Sequence, residues 1–149
     1  MFVRKATSAD VSRIAEIRVF VNRTSFYPIF GDIGYSFGEM QVLPVAREYA
    51  REEILQNIFV YDDGTVKGFM QMDGSEVKTL YVDSFFQNCG VGSALLRYAV
   101  ENLGADHLWA LEKNTGALRF YARHGFLPTG ERELEEGTTE YLVELSLQK

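Results

Sequence analysis

Residues 87 to 92 read QNCGVG, and they stand between a short apolar run ending at Val82 and an amphipathic stretch from Val91 to Leu103. A strand that passes through a glycine turn into a helix constrains this chain more than any other feature. The first turn of a helix leaves backbone N–H groups unpaired at the positive end of its dipole, and glycines let an anion approach that backbone closely. A diphosphate suits such a place. A plain glycine-rich connection between strand and helix has the same spelling. A nicotinamide-type fingerprint would place a third glycine where Leu95 stands, with a tighter junction to the strand.

The rest of the chain supplies a mixed sheet around this turn. Phe2 to Ala6 reads as a strand, and Thr7 followed by Asp10 forms a capping-box pattern that opens a helix through Val11, Ile14, Ala15 and Val21. Residues 22 to 43 carry Phe26, Tyr27, Phe30, Tyr35 and Phe37 among Gly31, Gly34, Gly38 and Pro28. They read as a long aromatic loop, of the kind that is functional or contains short helices of its own. Pro44 fits the first turn of a second helix running to about Gln56, with Val45, Tyr49 and Ile54 facing inward. Two hairpins follow, Ile58 to Tyr61 with Val66 to Met72 through Asp63-Gly64, and that second strand with Val77 to Val82 through Asp73-Gly74. After the helix from Val91, His107 to Leu111 reads as a strand and Asn114 to His124 as a helix stopped by Gly125. Phe126 and the run Tyr141 to Leu147 supply two last strands. The order β-α-α-β-β-β-α-β-α-β-β predicts a mixed, mostly antiparallel sheet of the α+β type with helices on its faces.

At 149 residues the expectation is one domain over 1–149, and 46% hydrophobic with 24% charged residues is an ordinary globular balance. A net charge of −6 argues against a nucleic-acid partner and suits a cationic ligand. The single cysteine, Cys89, excludes an internal disulfide. No apolar run reaches the roughly 20 residues that span a bilayer, and the start Met1-Phe2-Val3-Arg4-Lys5 lacks a signal-peptide h-region, so no membrane partner and a cytoplasmic location are expected.

Two ordered segments resemble a known family. LYVDSFFQNCGVGSALL is similar to the acetyl-CoA signature of the GNAT superfamily of N-acetyltransferases, in which Q/R-x-x-G-x-G/A follows a central strand and opens a helix. ALEKNTGALRFYARHGF resembles that family's second cofactor segment, a strand, an Asn-initiated helix ending in Phe-Tyr-x-x-x-Gly-Phe, and the next strand. Only the loop from Asn22 to Leu43 matches no motif of the family. The resemblance implies the acyl-CoA N-acyltransferase fold, a sheet of about seven strands whose central strands splay apart. It also implies acetyl-CoA as cosubstrate. Gln87, Asn88 and Cys89 would form the turn, and amides of Gly90, Val91, Gly92 and Ser93 would hold the diphosphate. The backbone of Leu80, Tyr81 and Val82 would pair with the pantetheine amides as an added strand would. Asn88 and Cys89 stand where the family more often has a glycine and a basic residue, which removes a charged phosphate contact, while Asn tolerates the left-handed backbone of the turn. A phosphate in that loop leaves a nucleophilic Cys89 no acyl group to attack.

Moving an acyl group from a thioester to an amine requires a neutral amine, stabilisation of the carbonyl oxygen, and a proton for the departing thiolate. By resemblance Tyr121 is the general acid, although beside Phe120 it also reads as a packing residue. Asn114 lies seven residues earlier on the same helix face, both as N-cap and as a contact to the pantetheine arm. Glu76 is the candidate base, and simple alternation puts it on one strand face with Lys78, Leu80 and Val82. A solvated strand end explains it as well, and Glu112 is the reserve. His107 and His124, without Cys or Asp partners, predict no metal site.

The resulting expectation is direct transfer in a ternary complex from acetyl-CoA to a primary amine, small-molecule or peptide. Phe26, Tyr27 and Phe30 would wall the acceptor site, unless the aromatic loop covers the core or a homodimer contact. The alternative is a non-catalytic acyl-CoA-binding sensor module with its acceptor groove closed.

Overall fold

The structure, a computed structural model, describes residues 2–148; Met1, which opens the segment read above as lacking an h-region, lies outside them. Strands β1 (Val3–Lys5), β2 (Ile58–Asp62), β3 (Val66–Asp73), β4 (Glu76–Val82), β5 (His107–Leu111), β6 (Phe126–Leu134) and β7 (Tyr141–Leu147) form one sheet in the order β1-β2-β3-β4-β5-β7-β6. Every neighbouring pair is antiparallel except β4 with β5. Helices α1 (Val11–Val21), α2 (Tyr27–Phe30), α3 (Val42–Tyr49), α4 (Glu52–Leu55), α5 (Val91–Leu103) and α6 (Thr115–Arg123) complete it.

Binary patterning divides the core between the two faces of the sheet. Ile14, Ile17 and Val19 of α1 and Tyr49 of α3 pack with Ile58, Val60 and Phe69. On the other face Leu95, Leu96 and Ala99 of α5 pack with Met70, Val77, Leu108 and Phe126. The entry to α1 is tied at one corner. The Thr7 amide donates to Asp10 Oδ2 at 2.8 Å, closing the capping box, and Arg4 reaches Asp10 at 2.8 and 2.9 Å and Asp62 at 3.0 Å. Gly68 lets α5 lie close on β3, because a Cβ there would stand 2.9 Å from the Tyr81 carbonyl oxygen and 3.0 Å from Val91 Cγ1.

Four local expectations need correction. The aromatic segment is helical over most of its length: Asn22–Phe26 continues α1 as a π-helical turn, α2 follows, and Gly34–Glu39 makes a second π-helical turn. Its two arms are clamped by Arg23, which donates to the carbonyls of Ser36 at 3.1 Å and Met40 at 3.2 Å. The second helix is broken at Arg51, whose extended backbone caps α4, and Glu52 and Glu53 then suit the positive end of a new helix. Strand β6 runs on to Leu134, because the polar residues Thr129 to Glu133 form an edge strand with no apolar face to betray it.

The fourth correction concerns β4. Gln71 pairs with Thr79 but Met72 pairs with Val77, so Lys78 is an extra residue, a β-bulge. Val77, Leu80 and Val82 therefore share the α5 face. Glu76 falls on the opposite side from Leu80 and Val82, the side of Tyr81 and α1, because a bulge reverses the alternation that sequence spacing assumes.

Candidate active site

Strand β4 pairs with β5 only at Glu76 with His107 and Val77 with Leu108. Beyond these two positions the strands part, while β3 continues along β4 as far as Val82 and β7 continues along β5 as far as Leu111. From Lys78 onward β4 thus shows a strand edge in the middle of a sheet, where backbone groups have no strand partner on that side. The gap opens into a cleft of about 1360 Å³, larger than the roughly 300–1000 Å³ of a usual small-molecule pocket.

The glycine turn closes one end of the cleft. Asn88 has a left-handed φ of 62° and Gly90, the N-cap of α5, a φ of 85°. The first internal bond of α5 runs from the Ala94 amide to the Gly90 carbonyl at 3.0 Å, so the amides of Val91, Gly92 and Ser93 precede the helix's own hydrogen bonding. Gln87, Asn88, Gly90, Gly92 and Ser93 line the cleft, and so do Leu80, Tyr81 and Val82. Asp83 fixes the turn's approach: it accepts from the Phe85 amide at 2.9 Å and from Arg13 Nη2 at 2.8 Å, which ties the end of β4 to α1. Cys89 is exposed and its sulfur lies 3.5 Å from the Gln87 carbonyl oxygen. The cleft therefore joins a helix start whose first amides lie outside the helix's own hydrogen bonding to an adjoining strand edge without a strand partner.

Helix α6 lines the cleft as well, with Phe120 close against Gly92. Asn114 caps it, its Oδ1 accepting from the Ala117 amide at 3.3 Å, and Asn114 and Tyr121 both line the cleft as their spacing predicts. Tyr121 packs edge-on against Phe120, with ring centroids 5.2 Å apart, and its hydroxyl has no hydrogen-bond partner among the described residues. Burial pushes its phenol far above the usual tyrosine range, and burial likewise pushes Tyr81 up to about 12. Both remain proton donors at any ordinary pH.

The other candidates are spread along the cleft. Glu76 lines its closed end, where β4 and β5 rejoin. Glu112 is engaged by Arg132 at 2.9 and 3.0 Å on the exposed surface. Phe26 reaches the cleft and meets Tyr81 edge-on at 5.7 Å, and Phe30 lines it too. Tyr27 turns away to pack on Phe37 at 5.2 Å. His107 bonds Asp106 at 2.7 Å, which raises its pKa, and among the described residues no cluster suited to a metal occurs. No helix among them is long and apolar enough to cross a membrane.

Sequence reasoning passed over several lining residues. Arg18, Asn22 and Phe26 recur at intervals of four along α1 and its π-helical continuation, and all three reach the cleft. The available signal was a charged and an amide side chain on the line that Ile14 begins, a polar interruption of an apolar stripe. Asn22 Oδ1 and, beside the bulge, Thr79 Oγ1 are buried without a hydrogen-bond partner among the described residues. Trp109 from β5 and Glu133 and Glu135 from the β6–β7 hairpin complete the walls.

Comparison with known proteins agrees with this fold. The GNAT acetyltransferase domain family matches residues 55–128. The peptidyl-lysine N-acetyltransferase YjaB of Escherichia coli K12 is 32% identical over 69 residues, 46% of this chain. The match spans about half of that curated relative, 47% of its length. The solution structure of apo-form YjaB superposes with a TM-score of 0.72 at 20% identity, covering 97% of this chain and 95% of that one. An N-acetyltransferase from Staphylococcus aureus Mu50 gives a TM-score of 0.76 at 17% identity, over 97% and 99% of the two chains. A PaiA N-acetyltransferase from Thermoplasma acidophilum, solved in complex with coenzyme A, gives 0.57 at 20% identity over 97% of both.

Proposed function

The chain belongs to the GNAT superfamily, and from that premise we propose that it is an acetyl-CoA-dependent N-acetyltransferase acting on a primary amine by direct attack in a ternary complex. The parting of β4 from β5 beside the open start of α5 carries this reading, since a packed sheet has no structural need for an unpaired edge at its centre. Amides of Gly90, Val91, Gly92 and Ser93 bind the diphosphate, assisted by the dipole of α5. Leu80, Tyr81 and Val82 hold the pantetheine arm as a neighbouring strand would be held. Acetyl-CoA, when bound, would supply the acetyl group as a thioester and leave as the thiol of coenzyme A.

In the transfer the amine nitrogen forms a bond to the acetyl carbon and the carbon–sulfur bond breaks. Tyr121 gives its proton to the departing sulfur. Glu76, directly or through water, takes the proton lost by the amine. A backbone N–H of β4 near Val82, where the strands splay, stabilises the carbonyl oxygen. Phe26 and Phe30 wall the acceptor side, with Tyr27 supporting them through Phe37. One domain over 1–149, a cytoplasmic location and a homodimer through exposed apolar residues such as Phe20, Ile33 and Leu43 belong to the same reading.

The test is thiol release from acetyl-CoA across an amine panel, with the product identified by mass, for the parent and Tyr121→Phe. The reading expects an N-acetylated product and a fall in kcat of about a hundredfold or more in the variant with acetyl-CoA affinity unchanged. Acetyl-CoA binding with no transfer to any amine would instead assign a sensor module.

A further inference from the structure

Arg18 stands on the acceptor side of the cleft with most of its hydrogen-bonding capacity unspent. Its guanidinium gives one bond, from Nη1 to the Tyr49 hydroxyl at 2.6 Å, and lies over the Tyr49 ring at 5.3 Å. A guanidinium carries five N–H donors, and no carboxylate pairs with Arg18 among the described residues. The other arginines of α1 and its continuation are tied: Arg13 to Asp83 and Glu16, and Arg23 to the carbonyls of Ser36 and Met40. One helical turn on, Asn22 is 7% exposed and its Oδ1 is buried with no partner, in the same cleft. Thr79 Oγ1, on β4 next to the bulge, is the second orphaned acceptor.

A cation free to pair, with a buried acceptor about 6 Å further along the same helix, is complementary to a molecule bearing a carboxylate beside an ammonium. Leaving such polar groups buried costs free energy unless a ligand satisfies them. Phe26, Phe30, Tyr35 and Met40 line the surrounding wall and offer an apolar surface to a third substituent. Glu133 and Glu135 on the β6–β7 hairpin put negative charge on the far wall, which favours the ammonium end over the carboxylate end there.

Resting on the proposed acetyltransferase reading, we infer that the acceptor is a free α-amino acid with an apolar side chain, its carboxylate held by Arg18 and its amine directed by Asn22 and Thr79 to the edge of β4. The guanidinium forks onto the carboxylate, a geometry that lysine does not reproduce. Asn22 Oδ1 and Thr79 Oγ1, which are closed to the cleft as they stand, turn toward it to accept from the ammonium, and once Glu76 or water has removed a proton the neutral nitrogen faces the part of β4 where the thioester lies.

The experiment measures binding to the full chain saturated with coenzyme A, so that it does not depend on turnover. Phenylalanine, leucine and methionine are compared with their carboxamides by calorimetry, for the parent, Arg18→Gln and Arg18→Lys, with far-UV circular dichroism to verify folding. The expected result is at least tenfold tighter binding of acid than amide by the parent, a ratio within about twofold for Arg18→Gln, and an intermediate ratio for Arg18→Lys. Equal binding of acid and amide by the parent, no binding of either, or a ratio unchanged in Arg18→Gln overturns the inference. If the amino acids bind with the expected preference and no acetyl product forms, the transfer reading fails while the carboxylate site stands. If peptide lysines are acetylated while the amino acids neither bind nor react, the reverse holds.

Discussion

Tyr121 and Gly90 show how much one residue can decide here. Burial raises the Tyr121 phenol far above its ordinary value, so its deprotonation cannot limit the reaction at moderately alkaline pH. The expected profile of kcat is flat from about pH 8 to about pH 10, near the ordinary phenol pKa; a loss of kcat near pH 9 that disappears in Tyr121→Phe would show that the phenol titrates in its ordinary range and that burial does not hold its proton, whereas a kcat unchanged in Tyr121→Phe would remove Tyr121 from the acid's role. Gly90 serves conformation, with φ at 85° and no atom within 4 Å of the place a Cβ would take. Gly90→Ala therefore meets backbone strain alone, about 1–2 kcal/mol. Urea unfolding should read that loss together with weaker acetyl-CoA binding, and an unchanged dissociation constant would mean that the turn does not cradle the cofactor. Much of this was legible in the chain, because glycines, Asn88 and the Phe-Tyr pair are letters with narrow uses. Arg18, Asn22 and Thr79 were not, since a polar residue on an apolar stripe is informative only once its partners, or their absence, are seen.

Elements were read well where one period dominates. Helix α5 over Val91–Leu103 and β5 over His107–Leu111 have the expected bounds, because each buries a single face. Errors gathered where a local exception overrides the period: the Lys78 bulge that turned Glu76 to the other side, the polar edge strand β6, and the π-helical turns around α2. The corner of β1, α1 and β2 was half legible, as the capping box is a sequence pattern but the bridge of Arg4 to Asp62 is not. The hydrogen bonds of Arg4 hold the Asp10 pKa below the usual carboxylate range, although burial opposes them, and the Thr7 amide adds to the lowering. A depressed folded pKa contributes stability above the unfolded value of about 3.9, lost as pH falls through the folded one. Asp10→Asn should cost about 1–3 kcal/mol near pH 7. In denaturant titrations the gap between parent and variant should shrink below about pH 4; a gap independent of pH would mean that the charge is not what stabilises this corner.

For the molecule as a whole, a mostly antiparallel sheet is interrupted at its one parallel joint, and both cores are built so that the interruption persists. The α1 and α3 layer packs on β2 and β3, and the α5 layer bridges β3 and β5, so neither requires β4 and β5 to close beyond Val77 and Leu108. The strand order could not be read from the chain, since it depends on contacts between distant segments, whereas the glycine turn and the Asn-capped helix on either side of the gap are local patterns. The account's central claim is that this gap and the helix start beside it form a single binding site for acetyl-CoA. Amide chemical shifts of the ¹⁵N-labelled protein during titration with acetyl-CoA test it most directly, with pantetheine as the comparison ligand. The prediction is that acetyl-CoA perturbs Gly90, Val91, Gly92 and Ser93 together with Leu80, Tyr81 and Val82, while pantetheine perturbs only the β4 residues. Saturation by acetyl-CoA with the amides of Gly90 to Ser93 unmoved would contradict it.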